Sequence, residues 1–368
     1  MKGLDTMDNL RRLEVWLHGQ KVGWLAMTNN HLCTFEYTGD FLSNGFSISP
    51  FELPLQKGVF VAKQHPFEGG FGVFDDSLPD GWGLLILDKY LQSIGTKPAS
   101  LNLLDRLAIV GNTGRGALEF VPDRSVMPSS QEADIEKLAK EASALLEEKS
   151  YYGKNIVELY QRGGSPGGAR PKIFVKEDGQ EWLVKYPAKN DPETIGKTEY
   201  EYALLAQECG VEMPEVRLFE GKYFGARRFD RKEGEKLHVV SMAGLLRADY
   251  RTPCLDYWQV FQVSMALSHD VEELWRVFRL MCFNYLIGNK DDHAKNLSFI
   301  YDDGTWQLSP AYDLLPSDGF GVYHTTSIND SITPKDSDLL ALAGKAGLGV
   351  KTAERIIEEM RSVIKTKI

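Results

Sequence analysis

The chain has 368 residues, of which 43% are hydrophobic and 26% charged, and its 52 acidic and 42 basic side chains leave a net charge of −10. A chain of this length buries a substantial core over two or three subdomains, and its composition is that of an ordinary soluble globular protein. The acidic balance excludes a uniformly basic nucleic-acid-binding surface, and no apolar run reaches the length of a membrane helix.

The polar start, Met1 to Asp8, lacks an apolar signal core. Cys33, Cys209, Cys254 and Cys282 stand far apart without a Cys-x-x-Cys pair. Reduced thiols in a cytoplasmic protein without membrane contact are expected.

Leu13, Val15 and Leu17 alternate with polar positions, His18-Gly19-Gln20 turns, and Val22 and Trp24 resume the alternation. With Cys33-Phe35-Tyr37 this predicts three strands of a β-rich start. The stretch Asp75-Asp76-Ser77-Leu78-Pro79-Asp80-Gly81 then suits a loop entering a helix at Trp82, with Asp80 as its cap. Its acids read as caps and turn formers. Gly111-Asn112-Thr113-Gly114-Arg115-Gly116 lacks a Lys and the Walker spacing, so a tight turn is expected there rather than a phosphate loop. Pro122–Ser130 reads as an exposed linker, and 132–149 as a solvated helix burying Ile135, Leu138, Ala142 and Leu145.

Next comes Gly163-Gly164-Ser165-Pro166-Gly167-Gly168-Ala169-Arg170-Pro171-Lys172, followed by strands at 173–176 and 182–186. A glycine-rich connection lets backbone amides approach phosphates closely, where a Cβ would obstruct. Lys185 lies on the second strand, where kinases keep the Lys that contacts nucleotide phosphates, and Glu199 opens the next helix in position to pair with it. The backbone at Ala226-Arg227-Arg228-Phe229 is placed by chain order to read an adenine edge. Val271, Leu274, Trp275, Phe278, Met281, Cys282 and Tyr285 form an apolar helical stripe.

That stripe leads into Gly288-Asn289-Lys290-Asp291-Asp292-His293-Ala294-Lys295-Asn296, which sets an Asp five residues before an Asn. Protein kinases use this step for a catalytic base and a magnesium ligand, so Asp291 and Asn296 are assigned those roles. Two short strands joined by Tyr301-Asp302-Asp303-Gly304 would form a hairpin that returns Asp313 to the same metal. His293 reads as an orienting residue for Asp291 or a loop carbonyl.

The Asp-x-His-x-x-Asn loop followed by Ser309-Pro310-Ala311-Tyr312-Asp313 resembles the HipA family of bacterial Ser/Thr kinases, the toxins of HipBA-type toxin–antitoxin systems. Phosphoinositide kinases carry a similar loop, but they would not share the β-rich start or the Arg228-Phe229-Asp230-Arg231 segment. The resemblance spans nearly the whole chain. It implies an α+β, two-lobed protein-kinase-like fold with a β-rich amino-terminal subdomain and an all-helical carboxyl-terminal lobe. The expected segments are 1–125, a nucleotide-binding lobe at 126–230, and a mainly helical catalytic lobe at 231–368.

By position the resemblance implies Asp291 as catalytic base and Asn296 and Asp313 as magnesium ligands. It implies an ATP site drawing on Lys185, Gly167, Gly168, Ala169, Lys172, Glu199, Arg228, Phe229, His293 and Lys295. Ser165 matches the loop serine that the family phosphorylates on itself. A HipB-like helix-turn-helix antitoxin is the implied partner, with operator DNA reached through it, and an aminoacyl-tRNA synthetase is the implied substrate class. Pro166, Pro171 and Arg227 depart from the family pattern. The alternatives are a weakly active scaffold holding a DNA-binding antitoxin, and a small-molecule or lipid kinase with a similar loop.

Overall fold

The structure is a computed structural model that describes residues 9–126, 132–147, 156–163, 168–317 and 323–367. The chain divides into two compact units, residues 1–197 with 217–238, and residues 198–216 with 239–368.

The first unit opens as the alternation predicts, with β1 (Arg12–Leu17), β2 (Gln20–Met27) and β3 (Cys33–Tyr37). With β4 (Phe60–Val61) and β5 (Leu118–Val121) they form a sheet in the order β4-β3-β2-β1-β5. Val15 and Phe120 pair across this sheet with both side chains fully buried. Short helices α1 (Gly39–Asn44) and α2 (Gly72–Asp75) follow the strands, then α3 (Gly81–Ser93) and α4 (Leu103–Val110). Helix α4 ends at Gly111 with a positive φ of +53°, which starts the turn expected at Gly111–Gly116.

Helix α5 (Ile135–Glu147) buries Leu138, Ala142 and Leu145, and α6 (Ile156–Gly163) precedes the glycine-rich connection. A second sheet follows, formed by β6 (Lys172–Glu177), β7 (Gln180–Lys185), β8 (Val216–Phe219) and β9 (Tyr223–Arg227) in the order β6-β7-β9-β8. Asp178 and Gly179 both take positive φ, the two-residue turn that matches strand twist. Ile173 and Val175 pair with Val184 and Trp182 and pack with α3, α5 and α6 in one core. The opposite face of the sheet is therefore left for other work.

The unit also contains a buried charge cluster. Arg228 donates to both carboxylate oxygens of Asp230 at 2.9 and 2.8 Å, and Arg231 donates to the same carboxylate at 3.0 Å. Gly116 N–H adds a bond to it at 2.9 Å.

The first unit ends with the short strands β10 (Arg231–Lys232) and β11 (Glu235–Lys236). In the second unit α7 (Ile195–Glu208, from residue 198 on) precedes the strand β12 (His238–Ser241, from residue 239 on), the helix α8 (Met242–Leu246), the short strand β13 (Leu255–Asp256) and the helices α9 (Tyr257–Ser268) and α10 (Val271–Ile287). The hairpin β14 (Ser298–Asp302) and β15 (Thr305–Leu308) comes next, and α11 (Asp336–Lys345) and α12 (Val350–Lys367) close the chain. This lobe is not all-helical: β12, β14 and β15 form a three-stranded sheet. Helix α10 is more deeply embedded than a single stripe, since Val277, Leu280, Phe283 and Asn284 are buried as well, while Val271 on its first turn is exposed. No helix among the described residues is long and apolar enough to cross a membrane.

Candidate active site

Helix α10 stops where Gly288 adopts a left-handed φ of +71°, and the next residue is the hub of the loop. The buried Asn289 side chain donates to Asn284 Oδ1 at 3.0 Å and to the Asp313 carbonyl at 3.3 Å. Its Oδ1 accepts from the Asp291 amide at 3.1 Å and the Ser317 hydroxyl at 3.2 Å. Asn284 in turn donates to the Tyr257 hydroxyl at 2.9 Å. Burial, then the charge of Asp292, pushes the Tyr257 phenol well above its ordinary range, so it stays a protonated donor. A buried network satisfied at this many points rigidifies what it touches.

The two adjacent carboxylates differ sharply in setting. Asp291 is exposed, and its amide also donates to Ser317 Oγ at 3.0 Å. Asp292 is 1% exposed, and its Oδ1 accepts the Thr326 N–H at 3.2 Å while the Thr326 hydroxyl donates to its carbonyl. One carboxylate anchors the loop and its neighbour presents itself to solvent. Asn296 donates its side-chain N–H to the Asp291 carbonyl at 2.9 Å, which leaves its Oδ1 as the ligand-capable end.

The hairpin turns at Asp303 and Gly304, both at positive φ, and returns the chain as the sequence suggested. Tyr312 then donates its hydroxyl to the Lys295 carbonyl at 2.6 Å and shares a 2.7 Å hydrogen bond with Ser298. This binds the residue before Asp313 to the residue before Asn296. Asp313 itself sits at φ +56°, a conformation sparse outside glycine and tolerated by Asp. One carboxylate and one amide oxygen suit magnesium, which keeps several waters and takes its remaining oxygens from substrate phosphates. Among the described residues no cluster of three or more His, Cys, Asp or Glu is placed to hold a metal.

His293 accepts the Lys295 N–H at 3.2 Å through Nδ1 and so helps shape the loop. The Lys295 ammonium lies 4.2 Å from the centre of the Tyr250 ring, a cation–π contact.

In the first unit, Lys172 and Lys185 are directly paired across β6 and β7, and both are buried, 4% and 7% exposed. Residues opposite each other in an antiparallel pair share a face, and like charges there repel. The face is the one turned away from the core, and it also carries Phe174, Leu183 and Ala226. Two buried ammonium groups beside a half-buried apolar strip suit a ligand with an anionic end and an aromatic end. Gly168 and Ala169 are exposed at the end of the glycine-rich connection, and a Cβ on Gly168 would stand 2.6 Å from Lys172 Nζ. Ser165 and Gly167 lie outside the described residues.

The Arg228 guanidinium holds Asp230, and its amide donates to the Glu181 carbonyl at 2.8 Å. Phe229 is half-buried, with the Arg115 guanidinium 5.8 Å from its ring centre. Glu199 is buried on α7 in the second unit, whereas Lys185 belongs to the first.

Two family models match the chain, the HipA N-terminal domain over residues 13–121 and the HipA-like C-terminal domain over residues 164–368. The chain belongs to the HipA family. Among its HipA-like relatives, Y4dM of Sinorhizobium fredii (strain NGR234) is 27% identical, over 97% of this chain and 92% of that protein. The serine/threonine-protein kinase toxin HipA of Shewanella oneidensis is 24% identical, over 85% of this chain and 78% of its own length. A solved complex of HipA and HipB with operator DNA from Shewanella oneidensis MR-1 matches with a TM-score of 0.71 at 21% identity, covering 97% of this chain and 91% of that one. The likeness supports the two-lobed HipA fold.

Several contributors were not legible in the HipA-like motifs themselves. Asn289, Tyr257, Ser317 and Tyr312 act through hydrogen bonds that join segments distant in sequence. Asn289, two residues ahead of Asp291, and Tyr312, directly before Asp313, lie at the motifs, whereas Tyr257 and Ser317 do not. Asp80 was read as a helix cap, yet its side chain makes no bond to its own helix; it accepts the Gly168 N–H instead.

Proposed function

We propose that the chain is a Mg-ATP-dependent protein serine/threonine kinase of the HipA toxin type. The observation that carries the reading is the loop at 291–296, in which Asn296 donates to the Asp291 carbonyl while Asp291 itself stays exposed. In this reading Asp291 orients the incoming hydroxyl and takes its proton, an interaction realised mainly in the transition state. Asn296 and Asp313 would hold the magnesium, and Lys185 and Lys172 would neutralise nucleotide phosphates. His293 and Lys295 complete the phosphate side, and Gly167, Gly168 and Ala169 offer backbone amides. Mg-ATP supplies the activated phosphoryl group and the cation that offsets its charge.

A HipB-like antitoxin is proposed as partner, on the strength of the family and the relative solved together with HipB and operator DNA. An aminoacyl-tRNA synthetase is the proposed substrate class, on family grounds. Incubating the purified chain with labelled ATP and a panel of synthetases tests the activity and the substrate together.

Calorimetric titration with Mg-ATP should show clear binding that weakens at least about tenfold in Asp313→Asn, because a neutral amide replaces a hard anionic oxygen. Lys185→Ala should weaken it too. Unchanged affinity in both variants would remove the nucleotide from these residues.

Ser165 is proposed as a self-phosphorylation site that shuts the enzyme off. A phosphoserine adds roughly −1.5 to −2 charge and would face nucleotide phosphates of the same sign. Mass spectrometry should find phosphate on Ser165 in the wild type and none in Asp291→Asn. The same result in both proteins sinks the idea.

A further inference from the structure

We propose that Asp80, Gly81 and Trp82, at the entry of α3, clamp the end of the glycine-rich connection and thereby set nucleotide affinity, with Asp80 a positioning residue. The inference rests on the nucleotide reading above and assigns part of that site to the amino-terminal HipA domain.

Asp80 occupies the cap position of a 13-residue helix and makes no side-chain cap bond there. A carboxylate at such a position ordinarily bonds the helix's own orphan amides. Here its Oδ1 accepts the N–H of Gly168 instead. One of those helix amides is used in the same place: Trp82 N–H donates to the Gly168 carbonyl at 3.0 Å. The peptide groups on both sides of Gly168 are thus held by two consecutive links to one helix entry.

Gly81 makes the approach possible. It sits at φ +42°, and a Cβ there would lie 2.6 Å from the Gly168 carbonyl oxygen and 3.0 Å from Ala169 Cα. Trp82, 1% exposed, also donates its indole N–H to the Lys172 carbonyl at 3.1 Å. Gly163 closes in on that carbonyl too, where a Cβ would be 2.5 Å away. The segment 168–172 is therefore fixed at both ends. Its far end is Lys172, whose ammonium lies against Gly168 and whose backbone is in register with Lys185.

A phosphate-binding backbone contributes affinity in proportion to how little ordering remains when the ligand arrives. Releasing the charge-assisted bond at Gly168 frees this end of the connection, and the loss should appear as weaker ATP binding rather than slower chemistry. A strut that merely stabilised the fold would lower activity without moving the ATP dependence.

The test uses the full chain with Asp80→Ala, Asp80→Asn and Gly81→Ala, measuring ATP dependence of phosphoryl transfer, Mg-ATP binding by calorimetry, and hydrogen exchange at 168–172 without nucleotide. Asp80→Ala should raise the Kd and KM for ATP roughly tenfold, the scale of one charge-assisted hydrogen bond. Its kcat at saturating ATP should stay within about twofold. Exchange at 168–172 should quicken. Asp80→Asn keeps an oxygen acceptor and should restore most of the affinity. Gly81→Ala removes no charge but pushes Gly168 away, so it should reproduce the KM rise even if Asp80→Ala folds poorly. Wild-type ATP affinity in Asp80→Ala and Gly81→Ala overturns the clamp, as does a fall in kcat with KM unmoved. Absence of Mg-ATP binding by the wild type instead overturns the nucleotide reading and the clamp with it.

Discussion

Replacing Asp291 with Asn should lower turnover by about two to four orders of magnitude, the usual scale for losing a positioned base. The substitution is nearly isosteric, and it leaves the backbone bonds of the loop in place. The Asp291 amide is held by Asn289 and Ser317, and its carbonyl by Asn296, all through backbone atoms that the change leaves intact. Mg-ATP affinity and thermal stability should therefore match the wild type. Growth arrest on overexpression should vanish together with turnover if toxicity is phosphoryl transfer. A variant that is inactive yet still toxic would reject the kinase-toxin reading and favour a scaffold that acts by binding.

Asp230→Ala should destabilise the protein by about 3–5 kcal/mol, the range for breaking a buried ion pair by removing one partner. Asp230 is 5% exposed and Arg228 8%, so the guanidinium left behind has little water to turn to. Glu181, 3.3 Å from Arg228 and more exposed, compensates only in part. The Gly116 amide also loses its acceptor, while the turn after α4 keeps the bonds from Arg228 and Arg231 to its carbonyls.

The pH dependence follows from the same cluster. Burial pushes the Asp230 carboxyl up, but Arg228 by charge and hydrogen bonding, then Arg231 and the Gly116 amide, hold it well below its ordinary value of 3.8. A depressed carboxyl contributes stability in full above its unfolded pKa of about 3.9 and loses it as pH falls toward the folded value. Denaturant unfolding should thus show a constant gap between wild type and Asp230→Ala from neutral pH down to about 4, narrowing below it. A gap that is small at neutral pH would mean that the cluster contributes specificity and not stability.

Much of this architecture was legible from periodicity and turn chemistry. The alternation at 13–17 and the polar turn after it could form only a half-buried strand pair, because a one-residue slip would expose Leu13 and Val15. Asp178-Gly179 and Asp303-Gly304 specify hairpin turns locally, since few residues accept two consecutive positive φ values. The order Lys185, Asp291, Asn296, Asp313 is likewise a property of the chain, and it carried the family.

Tertiary structure decided what local rules leave degenerate. Asp291 and Asp292 are the same residue type side by side, and partners distant in sequence, among them Thr326, Tyr257 and His324, turn Asp292 inward and leave Asp291 out. Asp80 carries a cap's sequence signature, but a carboxylate accepts from whichever amide arrives, and the fold brings it Gly168. In the carboxyl-terminal lobe the hairpin is written in its own turn, whereas β12 pairs with β14 through contacts that no window along the chain contains. Sequence determines which groups are present and what each local segment prefers. The choice between equivalent partners is made by packing, because an unpaired buried polar group costs more than any local preference gains.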